Sequence, residues 1–163
     1  MSIEDTKSNS KTDALETLKL FRIIFKSANR HFHEVEKKVG IGGASLWALA
    51  EISEAGNLTV SALAKAMSVH QSTVSNLIEK LEVRGYVVRI RSLEDRRVVH
   101  LALTDQGRDV LSKAPPPYRG ILPDALMRMD SEALSALNSH LSELIVGMQG
   151  KNDDSAFEPL GMA

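Results

Sequence analysis

Apolar residues recur at steps of three and four positions near both ends of the chain, which is the spacing of helices with one narrow apolar seam. The first seam consists of Leu18, Phe21, Phe25, Ala28, Phe32, Val35 and Val39. The second consists of Leu134, Leu137, Leu141, Leu144 and Met148, and Asp130 or Ser131 suits the N-cap before it. Such seams pack on a neighbouring helix or on a second copy of the chain. The pattern therefore predicts terminal helices that join a homodimer.

Two shorter apolar stripes at helical spacing lie between the seams, separated by a break near Ser68 and Val69. The first contains Val60, Leu63, Ala64 and Met67, and the second contains Val74, Leu77, Ile78 and Leu81. Two short helices with so tight a connection are typical of a helix-turn-helix.

After Gly85 the apolar period changes to two, which predicts a β-hairpin. The expected inner residues are Tyr86, Val88, Ile90, Val99, Leu101 and Leu103, and Arg89 and Arg91 are expected on the outer side. The predicted fold class is mainly α with a small β-hairpin. It is a winged helix-turn-helix domain with N- and C-terminal dimerisation helices.

The domain boundaries follow from where periodicity stops. Residues 1–12 and 149–163 are polar without periodicity, so we expect flexible ends, and residues 13–148 form one predicted domain. Its parts are dimerisation helices within 13–39 and 105–148 and a winged helix-turn-helix over 44–104. Thr104 is the expected N-cap of a helix that the proline run at 115–117 must end or kink.

Composition and charge exclude some kinds of functional site and show where the basic residues lie. The chain contains no cysteine, which excludes disulfides and cysteine nucleophiles. It carries neither a run of apolar residues long enough to span a bilayer nor a signal peptide, so we expect a cytoplasmic protein without a membrane partner. The net charge is −1, yet residues 56–104 carry seven Lys/Arg against four Asp/Glu. The basic part of the chain thus coincides with the predicted winged helix-turn-helix.

The second short helix has a polar outer face opposite its apolar stripe. It carries Gln71, Ser72, Thr73, Ser75, Asn76 and Lys80. A solvated face is the alternative, although such faces usually carry Glu and Lys, whereas small hydroxyl and amide side chains approach a duplex closely and bond to base edges. We therefore interpret this helix as a recognition helix, in a DNA-binding surface that begins at Ser61.

Four arginines lie on or beside the predicted hairpin, and a carboxylate lies among them. The arginines are Arg89, Arg91, Arg96 and Arg97. A charged turn is the alternative, but arginine at a narrow tip enters a minor groove or clamps phosphates. Asp95 would repel DNA unless it pairs with a neighbour, so we expect it to orient an arginine.

The chain resembles the MarR family of bacterial regulators in two segments, LTVSALAKAMSVHQSTVSNLIEKLEVRGYVVR and EDRRVVHLALTDQG, which keep the family's order and spacing. The resemblance implies a homodimer on a double-stranded, pseudo-palindromic operator, and repression that a small ligand relieves. It also implies that residues 71–76 lie in the major groove, and that Asp95 holds Arg97 at the minor groove. The chain departs from the family at Ser92-Leu93, where Asp-Pro is common, and in its proline run.

The resemblance further implies a ligand crevice between the long first helix and the winged domain. The candidate lining residues are Arg22, Phe25, Asn29, His33, Trp47 and Arg89. Aromatic walls beside an arginine suit a small aromatic acid, which we expect as the effector. The alternative is that the aromatics belong to the core and Arg22 is solvated.

Two other classes of protein, an enzyme and a protein-interaction module, are alternatives to a DNA-binding regulator. An enzyme is not expected, because the five histidines lack paired metal-ligand spacing and no Gly-rich phosphate loop is present; we expect no cofactor and no metal. A winged-helix protein-interaction module without sequence-specific DNA binding is the remaining alternative. It requires an apolar exposed face over residues 70–84, where polar residues stand.

Overall fold

The computed structural model describes residues 3–160, with side chains from residue 11 onward. The elements are α1 (Ile3–Val39), α2 (Gly43–Ala55), α3 (Val60–Met67), α4 (Gln71–Val83), β1 (Val87–Arg91), β2 (Val99–Leu103), α5 (Asp105–Lys113), α6 (Ile121–Met127), α7 (Ser131–Gly147) and a C-terminal 3₁₀ helix (Asp153–Phe157). This mainly helical fold with one antiparallel hairpin confirms the predicted fold class. Of the helices described, none has the length and hydropathy needed to cross a membrane.

Helix α2 lies at the centre of the core and packs against α1, α3, α4, α5 and β2. Leu46, Leu49 and Ile52 of α2 are almost completely buried. A helix that is apolar over most of its surface is stable only where neighbours enclose it. The helix-turn-helix and the hairpin are therefore assembled around α2.

Side-chain caps determine where three helices begin. Thr59 at α3, Thr104 at α5 and Asp130 at α7 each accept hydrogen bonds from backbone N–H groups of the first helical turn. The sequence predicted the caps at Thr104 and at Asp130 or Ser131. Helix α3 ends at Ser68, whose φ of 55° is left-handed. This turn separates α3 from α4 as predicted.

The side of β1 that faces the core differs from the prediction. Val87 pairs with Leu103 and is buried, whereas Val88 and Ile90 are exposed. Because successive side chains alternate, Val87 and Arg89 share the inner side, so the predicted inner set of β1 was wrong by one residue, whereas Leu101 and Leu103 of β2 are buried as predicted. The strand leaves the core after its first residue. Its apolar residues therefore do not mark its buried face.

The chain after α5 crosses back towards α1 and α2. Helix α5 ends at Lys113, directly before the proline run, as predicted. His31 Nε2 lies 3.1 Å from the Pro117 carbonyl oxygen, to which it must donate because a carbonyl only accepts. Arg119 Nε donates to Glu51 Oε1 at 2.6 Å. Hydrogen bonds to Glu51 and then Glu54 raise the pKa of the Arg119 guanidinium.

Helical segments extend into both of the ends, 1–12 and 149–163, that the sequence predicted to be flexible. Helix α1 begins at Ile3, because a helix nucleated by its apolar seam elongates by one hydrogen bond for each residue added. The C-terminal 3₁₀ helix packs on residue 70 through an aromatic contact that the local sequence does not indicate. Residues 1–2 and 161–163 of the predicted ends lie outside the described residues.

Apolar surface of α1 and α7 faces away from the core of the chain. Leu134, Leu137 and Leu141 of α7 are half-buried, and Leu144 is exposed. The exposed apolar residues of α1 are Leu15, Leu18, Leu20, Ile23, Ile24 and Phe25. Large apolar side chains that are exposed in such number on one helix are typical of a surface that another chain covers.

Gly107 provides a test of how closely α5 approaches the hairpin. A Cβ at Gly107 would overlap the backbone carbonyl of Tyr86, whereas a Cβ at Gly147 would meet no atom within 4 Å. We expect Gly107→Ala to lower the free energy of unfolding by about 1–3 kcal/mol through overpacking. Gly147→Ala, the matched control, should leave it unchanged or raise it by up to about 0.5 kcal/mol. Urea unfolding measures both, and equal effects would contradict this packing.

Candidate nucleic-acid interface

Helix α4 has one buried and one outward face. The buried residues are Val74, Leu77, Ile78 and Leu81, the four that the sequence predicted. Burial of this stripe fixes the rotation of the helix about its axis, so the remaining side chains form a single outward surface. In that surface Gln71, Ser72, Asn76 and Lys80 are exposed, and Thr73 and Ser75 are half-buried.

The N-terminus of α4 is not capped by its own side chain. His70 occupies the N-cap position and makes no side-chain hydrogen bond to the first turn. A helix start has N–H groups without intrahelical partners and a partial positive charge, which together favour phosphate oxygens. Because Gln71, Ser72 and Thr73 supply both these N–H groups and polar side chains, this end of α4 is suited to bind an anion.

The C-terminal 3₁₀ helix contacts this same end of α4. The His70 backbone N–H donates to the Phe157 carbonyl oxygen at 3.2 Å. The two side-chain rings lie with their centroids 4.8 Å apart. Residues distant in sequence thus meet where α4 begins.

An ion pair orients an arginine at the tip of the wing, which we define as β1, β2 and the loop 92–98. Arg97 Nε and Nη2 each donate to a carboxylate oxygen of Asp95 at 3.1 Å. The Arg97 backbone N–H donates to the same carboxylate at 3.0 Å. These bonds, the side-chain ones first, hold the pKa of Asp95 below its usual value. The Arg97 side chain is 91% exposed, so its free edge faces solvent.

Ser92 closes the loop of the wing. Its Oγ accepts hydrogen bonds from the backbone N–H groups of Glu94 at 3.2 Å and Asp95 at 3.4 Å. Its own N–H donates to the Val98 carbonyl at 2.9 Å. A serine hydroxyl supports such a turn as an aspartate carboxylate does, but more weakly. Ser92 therefore positions Asp95 where the MarR resemblance left the loop shape in doubt.

The other arginines of the wing differ in their surroundings. Arg89 Nε donates to Glu82 Oε2 of α4 at 2.9 Å, so this arginine joins the wing to α4. Arg91 and Arg96 are exposed. Ser61 is exposed on α3, and its hydroxyl lies 3.1 Å from that of Thr59.

The six candidate effector residues do not line one cavity within the described chain. Asn29 and His33 border a shallow depression on α1 with Lys26 and Arg30. Arg22 and Phe25 are exposed on the preceding turns of α1. Trp47 Nε1 donates to Glu51 at 2.8 Å on α2, and Arg89 belongs to the wing.

Sequence reasoning missed three residues of this region. Glu82 pairs with Arg89, seven residues further along the chain, and Ser92 binds the backbone N–H groups two and three residues further along. Hydrophobic periodicity does not indicate such polar pairs. Phe157 gave a weak signal, because a lone aromatic residue in a polar tail needs a place to bury its ring.

Comparison with known proteins agrees with this geometry. The model of the MarR family matches residues 44–99, from α2 into β2. The chain is 34% identical over 84 residues to the HTH-type transcriptional repressor MdtR of Bacillus subtilis, an alignment that covers 52% of this chain and 54% of MdtR. An alignment to the HTH-type transcriptional regulator SarZ of Staphylococcus epidermidis covers 62% of that protein. These alignments span less than two thirds of either relative.

Solved structures resemble the chain over a greater length. The transcriptional regulator BldR of Sulfolobus solfataricus aligns with a TM-score of 0.55 and 28% identity, over 88% of this chain and 99% of BldR. The YusO protein of Bacillus subtilis aligns with a TM-score of 0.51 and 26% identity, over 91% of this chain and all of that one. MdtR, SarZ and BldR are transcriptional regulators, the class of protein that the sequence predicted. In its helix-turn-helix segment and its fold, the chain is therefore similar to the MarR family.

Proposed function

We propose that the chain is a cytoplasmic, homodimeric regulator that represses transcription by binding a pseudo-palindromic operator in double-stranded DNA. One observation carries the proposal: the outward polar face of α4 lies beside a wing whose exposed arginine is held by Asp95. The relatives MdtR and BldR, a repressor and a transcriptional regulator, support it.

The proposed contacts divide between α4 and the wing. Gln71 and Asn76 carry amides that form paired hydrogen bonds with adenine in the major groove. Ser72 and Thr73 lie at the helix start, where hydroxyl and N–H groups suit phosphate oxygens. Arg97 suits the negative potential of a narrow minor groove. Base reading therefore belongs to α4, and sequence-independent affinity belongs mainly to the wing.

The surface of α4 disfavours a protein-interaction module that does not bind DNA. Such a module needs a contiguous apolar face, and its charged residues are usually few at the centre of the contact. On α4 the exposed residue of large apolar type is Val83, at the C-terminal end and away from Gln71. The observed face instead has the composition of a groove-reading helix.

The dimer proposal rests on the apolar surfaces of α1 and α7. The proposed two-fold operator requires a dimer that presents both α4 helices on the same side. The chain by itself leaves the apolar α1 residues named above and Leu144 exposed and buries Leu134, Leu137 and Leu141 only in part. A homodimer accounts for both.

Substitutions should separate the role of α4 from that of the wing. Arg97→Ala should weaken binding to every duplex and lower the slope of log Kd against log salt by about one, because one phosphate-type contact is lost. Asn76→Ala should cost about 1–3 kcal/mol on a selected operator and little on random duplex, because it reads a base edge. Fluorescence anisotropy over a salt series measures both.

A control removes a positive charge elsewhere. Lys113→Ala, at the far end of α5, should leave binding and its salt slope close to those of the unsubstituted protein. Equal losses for Asn76→Ala on operator and random duplex would place base reading elsewhere. Equal salt slopes for Arg97→Ala and Lys113→Ala would remove Arg97 from the interface.

The dimer surface is tested on α7. Leu141→Asp places a charge in the apolar seam and should give monomer or aggregate in sedimentation velocity, with loss of operator binding. Ser135→Asp adds the same charge on the opposite side of α7 and should leave the dimer intact. An intact, operator-binding Leu141→Asp dimer would show that the interface lies elsewhere.

We propose further that a small aromatic acid releases the protein from DNA. The support is the family resemblance together with the exposed Arg22 and Phe25, three residues apart on α1. A tenfold loss of operator affinity needs only about 1.4 kcal/mol of differential binding.

Titration of the protein–operator complex tests this effector. Salicylate at millimolar concentration should displace the duplex, and Arg22→Ala should reduce the response. Benzyl alcohol, which keeps the ring and lacks the carboxylate, serves as the control and should have no effect. Retention of the duplex at millimolar salicylate would reject this effector class and leave DNA binding intact.

A further inference from the structure

The chain ends in a segment that returns to the proposed DNA-binding surface. We define the tail as residues 149–160. Within it, Phe157 accepts a hydrogen bond from the His70 N–H at 3.2 Å and places its ring 4.8 Å from the His70 ring. His70 directly precedes Gln71, the first residue of α4. The contact therefore lies at the end of α4 that would approach base edges and phosphates.

The tail carries a net negative charge, as DNA does. It carries one lysine against the acidic residues Asp153, Asp154 and Glu158. The Asn152 side chain accepts the Asp154 N–H at 3.1 Å, and Lys151 pairs with Asp153 at 3.3 Å, so the acidic turn is ordered locally. Negative charge near a helix N-terminus is favoured by the same partial positive charge that attracts phosphate. Phe157 holds this acidic segment against His70, the residue before α4.

We propose that the tail is an intramolecular competitor of DNA, which covers the N-terminus of α4 in the free protein and leaves it when a duplex binds. The inference rests on the proposed DNA-binding function and adds a regulation to it. A recognition helix enters the major groove with its N-terminal residues foremost. A phenylalanine ring and a 3₁₀ helix seated on His70 occupy the approach to that end.

The contact is small enough to be displaced. His70 is exposed and Phe157 is 47% exposed, so the rings bury little area. One backbone hydrogen bond and one ring contact hold the tail at α4. A docked-to-open ratio of about three to ten reduces the fraction of competent protein, and hence the apparent affinity for DNA, by about the same factor. The tail therefore lowers the apparent affinity for DNA without preventing binding.

Phe157→Ala in the full-length chain tests the competition. We expect this variant to bind both operator and random duplex about three- to tenfold more tightly, measured by fluorescence anisotropy at fixed salt. Leu160→Ala is the matched control, because it removes an exposed apolar side chain of the same tail and should leave affinity unchanged. Unchanged or weaker binding by Phe157→Ala, with an unchanged melting temperature, would overturn the proposal.

Limited trypsin digestion tests whether the tail is docked on α4 in the absence of DNA. Cleavage after Lys151, followed by mass spectrometry, should be slow in the original protein and in Leu160→Ala, and faster in Phe157→Ala. Addition of duplex should accelerate this cleavage in the original protein. Equal rates for all three proteins would reject the docked tail while DNA binding stands. Accelerated cleavage in Phe157→Ala with no duplex binding by any variant would reject the proposed function and the competition with it.

Discussion

Burial of the apolar stripe on α4 is the constraint on which the rest of the surface depends. Val74, Ile78 and Leu81 are almost fully buried, and α4 packs on α3, α2 and β1. Loss of one such side chain to alanine costs on the order of 2–5 kcal/mol in well-packed cores. A helix held this firmly presents one face only. The polar residues of α4 owe their shared direction to this burial.

Thr104, directly after β2, links the base of the wing to α5 and to the turn that follows α4. Its hydroxyl donates to the Gly85 carbonyl at 2.6 Å and accepts the Gly107 N–H at 3.0 Å, and its backbone N–H donates to Tyr86 at 3.1 Å. The end of α4, the base of the hairpin and the start of α5 therefore meet at one side chain. Arg89 adds a second link between wing and α4 through Glu82.

Periodicity predicted those parts of the fold whose pattern is set by burial along one element. The seams, the two short helices and their buried stripes follow from it, and Thr104 and Asp130 follow from capping chemistry. The inner side of β1 did not follow, because the strand projects beyond the core after Val87. Beyond Val87, the alternation of apolar and polar residues along β1 therefore does not show which side of the strand is buried. The predicted effector residues are likewise spread over α1, α2 and the wing.

The residues that sequence reasoning missed share a physical cause. Phe157 is paired with a residue about half the chain away, and the path of the backbone after α7 decides that contact. Glu82 faces Arg89 only because α4 and β1 are adjacent in space. The Asp95–Arg97 pair was expected, but its exposure and the role of Ser92 depend on the shape of the loop.

Selection of bound duplexes from a random pool, followed by methylation interference, tests the central claim most directly. Dimethyl sulfate modifies guanine in the major groove and adenine in the minor groove, so the two surfaces are read separately. We expect major-groove interference in two half-sites about one helical turn apart, one for α4 of each protomer, with minor-groove interference flanking them where the wings bind. Recovery of no preferred duplex, or interference confined to one half-site, would contradict this expectation.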